Sequence, residues 1–278
     1  MSSSNCLNCE VTLDFQARYC PNCGQKTNTH RLTLSHILHD FFHALTHADK
    51  GILYLLRALA LKPGIAAEEY IAGKRVKYFN PFSLFLILMG IYVISNNFFA
   101  PPPKPRLPDS AVLARIPTEE GKKTYVTMMR RSSEVTVFMN KHGNILAMFA
   151  VPLFTFLSWM VYRKAAYNFA EHLTANLLFV TFSNLVFTVL IFPLQGMFGT
   201  GRGVANMFIF LGQLLQVVYI TWCYYQFLPS RPGFLKLLGA FGLSLLGVIL
   251  WNLVTLTAVA IYMYRSPAFI NFFTRMFS

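Results

Sequence analysis

Charge is what this sequence has least of. Only 13% of its 278 residues are charged, against about 25% in soluble domains, and beyond Lys164 charged side chains become rare. An ordinary soluble domain is excluded for that half of the chain, because its surface would be almost bare of charge. An apolar stretch is also missing ahead of the first cysteine pair, so no secretory signal peptide is expected and the amino end is assigned to the cytoplasm. Cysteine is scarce as well. There are five, four of them between Cys6 and Cys23, a crowding that in a reducing compartment reads as metal ligation rather than as disulfides. Cys223, alone in an apolar run, reads as a small buried hydrophobe.

What the chain does have is long hydrophobic runs. Hydrophobic residues make up 55% of it, and the runs 81–99, 145–162, 173–198, 206–228 and 236–262 each approach the roughly 20 residues needed to cross a hydrocarbon core about 30 Å thick. The expected fold is an all-α polytopic membrane protein of about five transmembrane helices behind a small amino-terminal zinc-ribbon-like module. The expected order is the module at 1–30, cytoplasmic amphipathic and juxtamembrane helices at 31–80, the membrane domain at 81–262 and a tail at 263–278. Residues 100–144 form its long extracytoplasmic connection, because Pro101 to Pro105 cannot be helical. The net charge of +13 sits largely beside hydrophobic runs. It therefore points to anionic lipid headgroups, not to nucleic acid.

Cys6-Leu-Asn-Cys9 and Cys20-Pro-Asn-Cys23-Gly are paired knuckles, each able to offer two thiolates to a tetrahedral zinc ion. A segment this short cannot bury enough apolar surface to fold unaided, so a structural zinc would supply much of its folding free energy. From Leu34 to Leu45 apolar residues recur at helical spacing. On the opposite side His36, His39, Asp40, His43 and His47 share an arc of roughly 100°. That face reads either as a solvated polar surface or, because imidazole both ligates metals and titrates near neutrality, as a second divalent-metal or pH-sensing site. Further on, Lys74, Arg75, Lys77 and Tyr78 mix cations with aromatic rings, the pairing expected where lipid headgroups are bound. Asn80 and Pro81 supply a cap and first position for the first span.

Several of these segments carry a resemblance: Tyr19-Cys-Pro-Asn-Cys-Gly-Gln-Lys26, His30-Arg-Leu32, Asp49-Lys-Gly51, Lys62-Pro-Gly64, and Tyr70-Ile-Ala-Gly-Lys-Arg75 followed by Tyr78-Phe-Asn-Pro-Phe82. They resemble the uncharacterised bacterial membrane family known as domain of unknown function 3667, most densely over residues 19 to 90. The resemblance implies a cysteine ribbon ahead of a basic signature and hydrophobic helices, in the inner membrane of a bacterium. It brings no assigned activity.

Glu171 and His172 open the third run. They read as an interfacial cap and anchor or, joined to the histidine face, as nitrogen and oxygen ligands for a second metal that activates water. Asn184, Gln195, Gln213, Gln216, Asn252 and Thr255 lie within the runs and are expected to hydrogen-bond between helices. The leading functional expectation is a multi-pass scaffold or sensor, more a binding component than an enzyme, whose zinc ribbon meets a cytoplasmic protein partner and which can form a homo-oligomer. A transporter or channel lined by the Asn and Gln residues is the first alternative. An intramembrane metal-dependent hydrolase with Glu171 as base and His36, His39, His43 and His172 as ligands is the second.

Overall fold

The computed structural model describes residues 5–14, 17–29, 33, 51–99, 108–162, 167–198, 202–228 and 233–264. The cysteine module contains two small turns, each tied by one antiparallel bridge, Asn5 with Thr12 and Tyr19 with Lys26. Every longer element among the described residues is helical: α1 (Ile52–Leu61), α2 (Pro63–Ile71), α3 (Pro81–Phe99), α4 (Ser110–Arg115), α5 (Glu119–Val161), α6 (Phe169–Val186), α7 (Phe192–Phe198), α8 (Arg202–Phe227) and α9 (Phe234–Tyr264). A π-helical turn, Phe187–Ile191, joins α6 to α7.

Among the described residues, four helical stretches are long and apolar enough to cross a membrane: Lys141–Val161, Phe169–Phe198, Gly203–Phe227 and Phe234–Tyr264. The first expected span, 81–99, does form a helix, α3, and Asn80 caps it by accepting from the backbone of Phe82 and Ser83. Its apolar stretch, however, is Pro81–Ser95, about 22 Å at 1.5 Å per residue and short of a core about 30 Å thick.

The connection expected over 100–144 is also different in kind. Thr118 and Asp109 cap helices within it, and α5 runs for 43 residues with a break at His142 (φ −119°, ψ 15°). About half of α5 therefore precedes the stretch apolar enough to span. Thr118 caps its start, and the Glu, Lys, Met and Arg residues of its first turns are good helix formers.

At the centre sits α6. It packs against α1, α2, α3, α5 and α8, and its residues from Ala170 to Thr181 are buried with the sole exception of Leu173. A helix with hydrophobic groups all round has no face to give to water, so the bundle closes over it. The outward faces of α8 and α9 stay exposed through residues such as Phe210, Trp222 and Leu235.

The short helices α1 and α2 bury Leu55, Leu59, Ala66, Ala67 and Tyr70 against this bundle. Gly64 permits the closest approach: a Cβ there would come within 2.3 Å of Gln226 Cβ and 2.5 Å of the Phe227 nitrogen. The Gly64 N–H donates to Gln226 Oε1, and Tyr219 donates to the carbonyl of Leu59. This part of the amphipathic, juxtamembrane segment expected over 31–80 is thus docked to the bundle along one side, while Leu53 and Leu61 remain exposed on the other.

Candidate metal centre and the loop it holds

The two knuckles have the same local build. In each, the N–H one residue past the second cysteine donates back to the first cysteine's carbonyl, Glu10 to Cys6 and Gly24 to Cys20. That closure puts both residues at positive φ, 63° for Glu10 and 73° for Gly24. The turns bring the four sulfurs within 4.8 Å of one another, with Cys6 Sγ and Cys23 Sγ 3.6 Å apart and Cys9 Sγ and Cys20 Sγ also 3.6 Å apart. A tetrahedron with zinc–sulfur bonds of about 2.3 Å has edges of roughly 3.8 Å, so the set fits a four-coordinate ion.

The thiols differ in acidity. The backbone N–H of Val11 and the side chain of Asn22 pull Cys9 down to about 6, whereas burial pushes Cys23 up to about 11. Loading a metal must therefore displace protons from the cluster.

The residues beside the ligands reach across to the chain that leads into the membrane domain. Gln25 is buried and donates through Nε2 to the Gly73 carbonyl at 2.8 Å. Its Oε1 accepts from the backbone N–H groups of Arg75 and Val76 at 3.1 and 3.3 Å. Asn8 Oδ1 accepts from the N–H of Lys77 at 3.0 Å. Gly73 has φ +107°, and a Cβ there would stand 3.0 Å from Leu7 Cδ1. Backbone conformation and close packing both call for glycine at this point.

Glu69 organises the other side of the same loop. Lys74 and Lys77 both pair with its carboxylate, at 3.1 and 2.5 Å, and the Tyr78 hydroxyl donates to it. Burial works to raise the pKa of Glu69, but the hydrogen bonds from Lys77, Tyr78 and Lys74 outweigh it and hold the carboxyl at about 2. Lys77 also lies over the rings of Tyr54 and Tyr78. Of the four residues expected at lipid headgroups, Lys74, Lys77 and Tyr78 are thus turned onto Glu69, while Arg75 is gripped through its backbone by Gln25.

The histidine face, His36 to His47, lies outside the described residues. Among the described residues the four cysteines are the one cluster of potential ligands. Glu171 forms a reciprocal capping box with Asn168: each side chain accepts from the other's backbone N–H. His172 points inward and is wholly buried, with Nδ1 3.1 Å from Ser158 Oγ. Asn176 donates to Ser158 Oγ at 3.0 Å and to the carbonyl of His172 at 2.8 Å, and accepts from Tyr224 at 2.6 Å. The ring of His172 meets Phe227 and Tyr167 edge-on, while those two stack on each other. Adjacent in sequence, Glu171 and His172 therefore serve different neighbours.

Elsewhere in the membrane half, Gln213 donates to Asn252 across α8 and α9. Asn184 lines a cavity of about 40 Å³ with Thr181 and Thr188, enough for about one water. Sequence reasoning missed Asn8, Gln25, Glu69, Ser158 and Tyr224. Only Gln25 left a trace, as the residue after the knuckle glycine.

Residues 49–93 match the model of a family described as a protein of unknown function, DUF3667. The matched segment contains α1, α2, the loop gripped by Gln25 and the start of α3. No curated protein and no solved structure matches the chain.

Proposed function

We propose that this chain is a membrane-embedded scaffold or sensor in which a structural zinc ion, held by Cys6, Cys9, Cys20 and Cys23, sets the shape of a basic loop at the bilayer surface. One observation carries the reading: Asn8 and Gln25, each next to a ligand or a knuckle glycine, hold the backbone of residues 73–77. Metal-bound and metal-free forms would then differ at the approach to α3, and not only within the ribbon.

A four-thiolate set leaves no open coordination position, which suits a structural ion. Tyr19 remains exposed on the module and offers an aromatic contact to a cytoplasmic protein, as tyrosine does at interface hot spots. On this reading the module faces the cytoplasm from the inner membrane of a bacterium, and the bundle anchors it.

The test uses the full chain in detergent. Metal content and amide exchange across residues 73–77 are compared between wild type and a Cys20→Ser, Cys23→Ser variant. Loss of about one zinc together with faster exchange in the loop, with helix content retained, supports the proposal. Unchanged exchange at 73–77 in the metal-free variant sinks it.

A further inference from the structure

At the end of the bundle away from the cysteine module, α5 and α9 separate and leave a groove of about 760 Å³. That volume lies within the range of small-molecule sites, about 300–1,000 Å³. Its walls are apolar side chains, among them Phe138, Met139, Leu146, Val254 and Ala258. The hydroxyl of Thr255, which also faces it, is already spent on the carbonyl of Trp251.

Along α9 the lining runs from Trp251 to Tyr262, about 16 Å of helix. One leaflet of a hydrocarbon core about 30 Å thick has nearly the same depth. The groove is therefore one leaflet deep and dry in character, and it ends where a headgroup would sit.

Its mouth is polar and basic. Glu134 accepts from the Tyr262 hydroxyl at 2.8 Å and lies 3.9 Å from Arg130 Nε. Arg131 donates through one nitrogen to the Met263 carbonyl at 2.6 Å, which pins its guanidinium beside the end of α9. Arg131 is one turn from Val135 and Arg130 one turn from Glu134, so both cations belong to the rim of the lined face. Two guanidinium groups against one carboxylate leave a net positive rim, and guanidinium is the side chain best matched to a phosphate.

We propose that this groove binds one acyl chain of an anionic phospholipid, whose phosphate is received by Arg130 and Arg131. The site lies at the opposite end of the bundle from the metal centre and does not depend on it. A bilayer lipid is the occupant that combines a chain one leaflet long with a charged end at the membrane boundary. The charge at the rim selects anionic over zwitterionic headgroups.

The full chain is reconstituted into phosphatidylcholine vesicles containing a trace of phosphatidylglycerol with a photoreactive diazirine on its acyl chain, and labelled peptides are mapped. Labelling is expected to concentrate on Phe138, Met139 and Leu146 over the exposed residues Phe210 and Trp222 of α8, and to fall when unlabelled phosphatidylglycerol is added. Ala258→Trp, which fills the groove, is expected to remove the groove labelling and leave that of α8 in place. The exposed and half-exposed arginines can be changed without opening the core. Arg130→Gln with Arg131→Gln is expected to lower the preference for phosphatidylglycerol over a phosphatidylcholine probe roughly tenfold. Even labelling of α5 and α8, a headgroup preference untouched by the double change, or cross-links from the groove to a second copy of the chain in place of lipid would each overturn the assignment.

Discussion

The side-chain amide of Gln25 lies 2.8 Å from the carbonyl oxygen of Gly73, a residue 48 positions away in sequence. Through that bond and the two that Gln25 accepts, a turn built around cysteine sulfurs meets the strand of chain that enters the membrane domain.

Replacing Gln25 by alanine should loosen the loop without emptying the metal site. Three backbone groups lose their partner, and a buried polar group left unpaired costs about 1–3 kcal/mol. Water will reach part of this edge and recover some of it. Metal content is expected to stay at the wild-type value while amide exchange at Gly73, Arg75 and Val76 accelerates. A variant that also loses its metal would show that Gln25 supports the knuckle directly.

Metal uptake should release protons and should strengthen as pH rises. Burial holds Cys23 at about 11, so that thiol is protonated at neutral pH without a metal and must give up its proton to ligate one. Titration of the metal-free chain with zinc in two buffers of different ionisation enthalpy measures the protons displaced. The expected stoichiometry is one ion per chain through the cysteines. A second ion that disappears on replacing His39 and His43 would instead support the histidine face as a site.

Acid should release the basic loop through Glu69. Its carboxyl is held at about 2 against an ordinary 4.5. The stabilisation is thus fully present above about 4.5 and is lost as pH falls toward 2. Exchange at Lys74 and Lys77, corrected for the intrinsic pH dependence of exchange, is expected to speed up through that window. Glu69→Gln should show the fast behaviour already at neutral pH. If the variant matches wild type there, the ion pairs contribute nothing to the loop.

Asn176→Leu should destabilise the bundle more than Tyr224→Phe does. Asn176 serves Ser158, the carbonyl of His172 and the Tyr224 hydroxyl at once, and its loss strands several buried groups at about 1–3 kcal/mol each. Tyr224→Phe removes one hydroxyl and leaves one acceptor short. Thermal unfolding in detergent, followed by circular dichroism, ranks the two. The reverse order would mean that the network is organised from Tyr224.

Much of this architecture was legible from residue patterns. The spacing of the four cysteines, the hydrophobic runs and the Asn80-Pro81 start of α3 are local signals, and each has its counterpart in the structure. The count of spans was less secure, because a run of 19 residues such as 81–99 sits at the limit of what a bilayer requires. The helical extension of α5 was obscured by its charges. They mark a water-facing segment but do not say whether it is coiled. That Lys74, Lys77 and Tyr78, expected at lipid headgroups, also meet Glu69 was not legible, because Glu69 belongs to the preceding helix and carries no pattern of its own.

Composition and periodicity alone determined that the second half of this chain belongs in hydrocarbon and that its first residues can hold a metal. Both follow from properties that each short segment carries by itself: transfer free energy in one case and thiolate spacing in the other. Only the folded arrangement decided that Gln25 grips Gly73, that His172 turns into the core while Glu171 caps its helix, and that α5 and α9 part to leave a groove. Those outcomes depend on hydrogen bonds and close contacts between segments far apart in the chain, and such bonds exist only once packing has placed both partners.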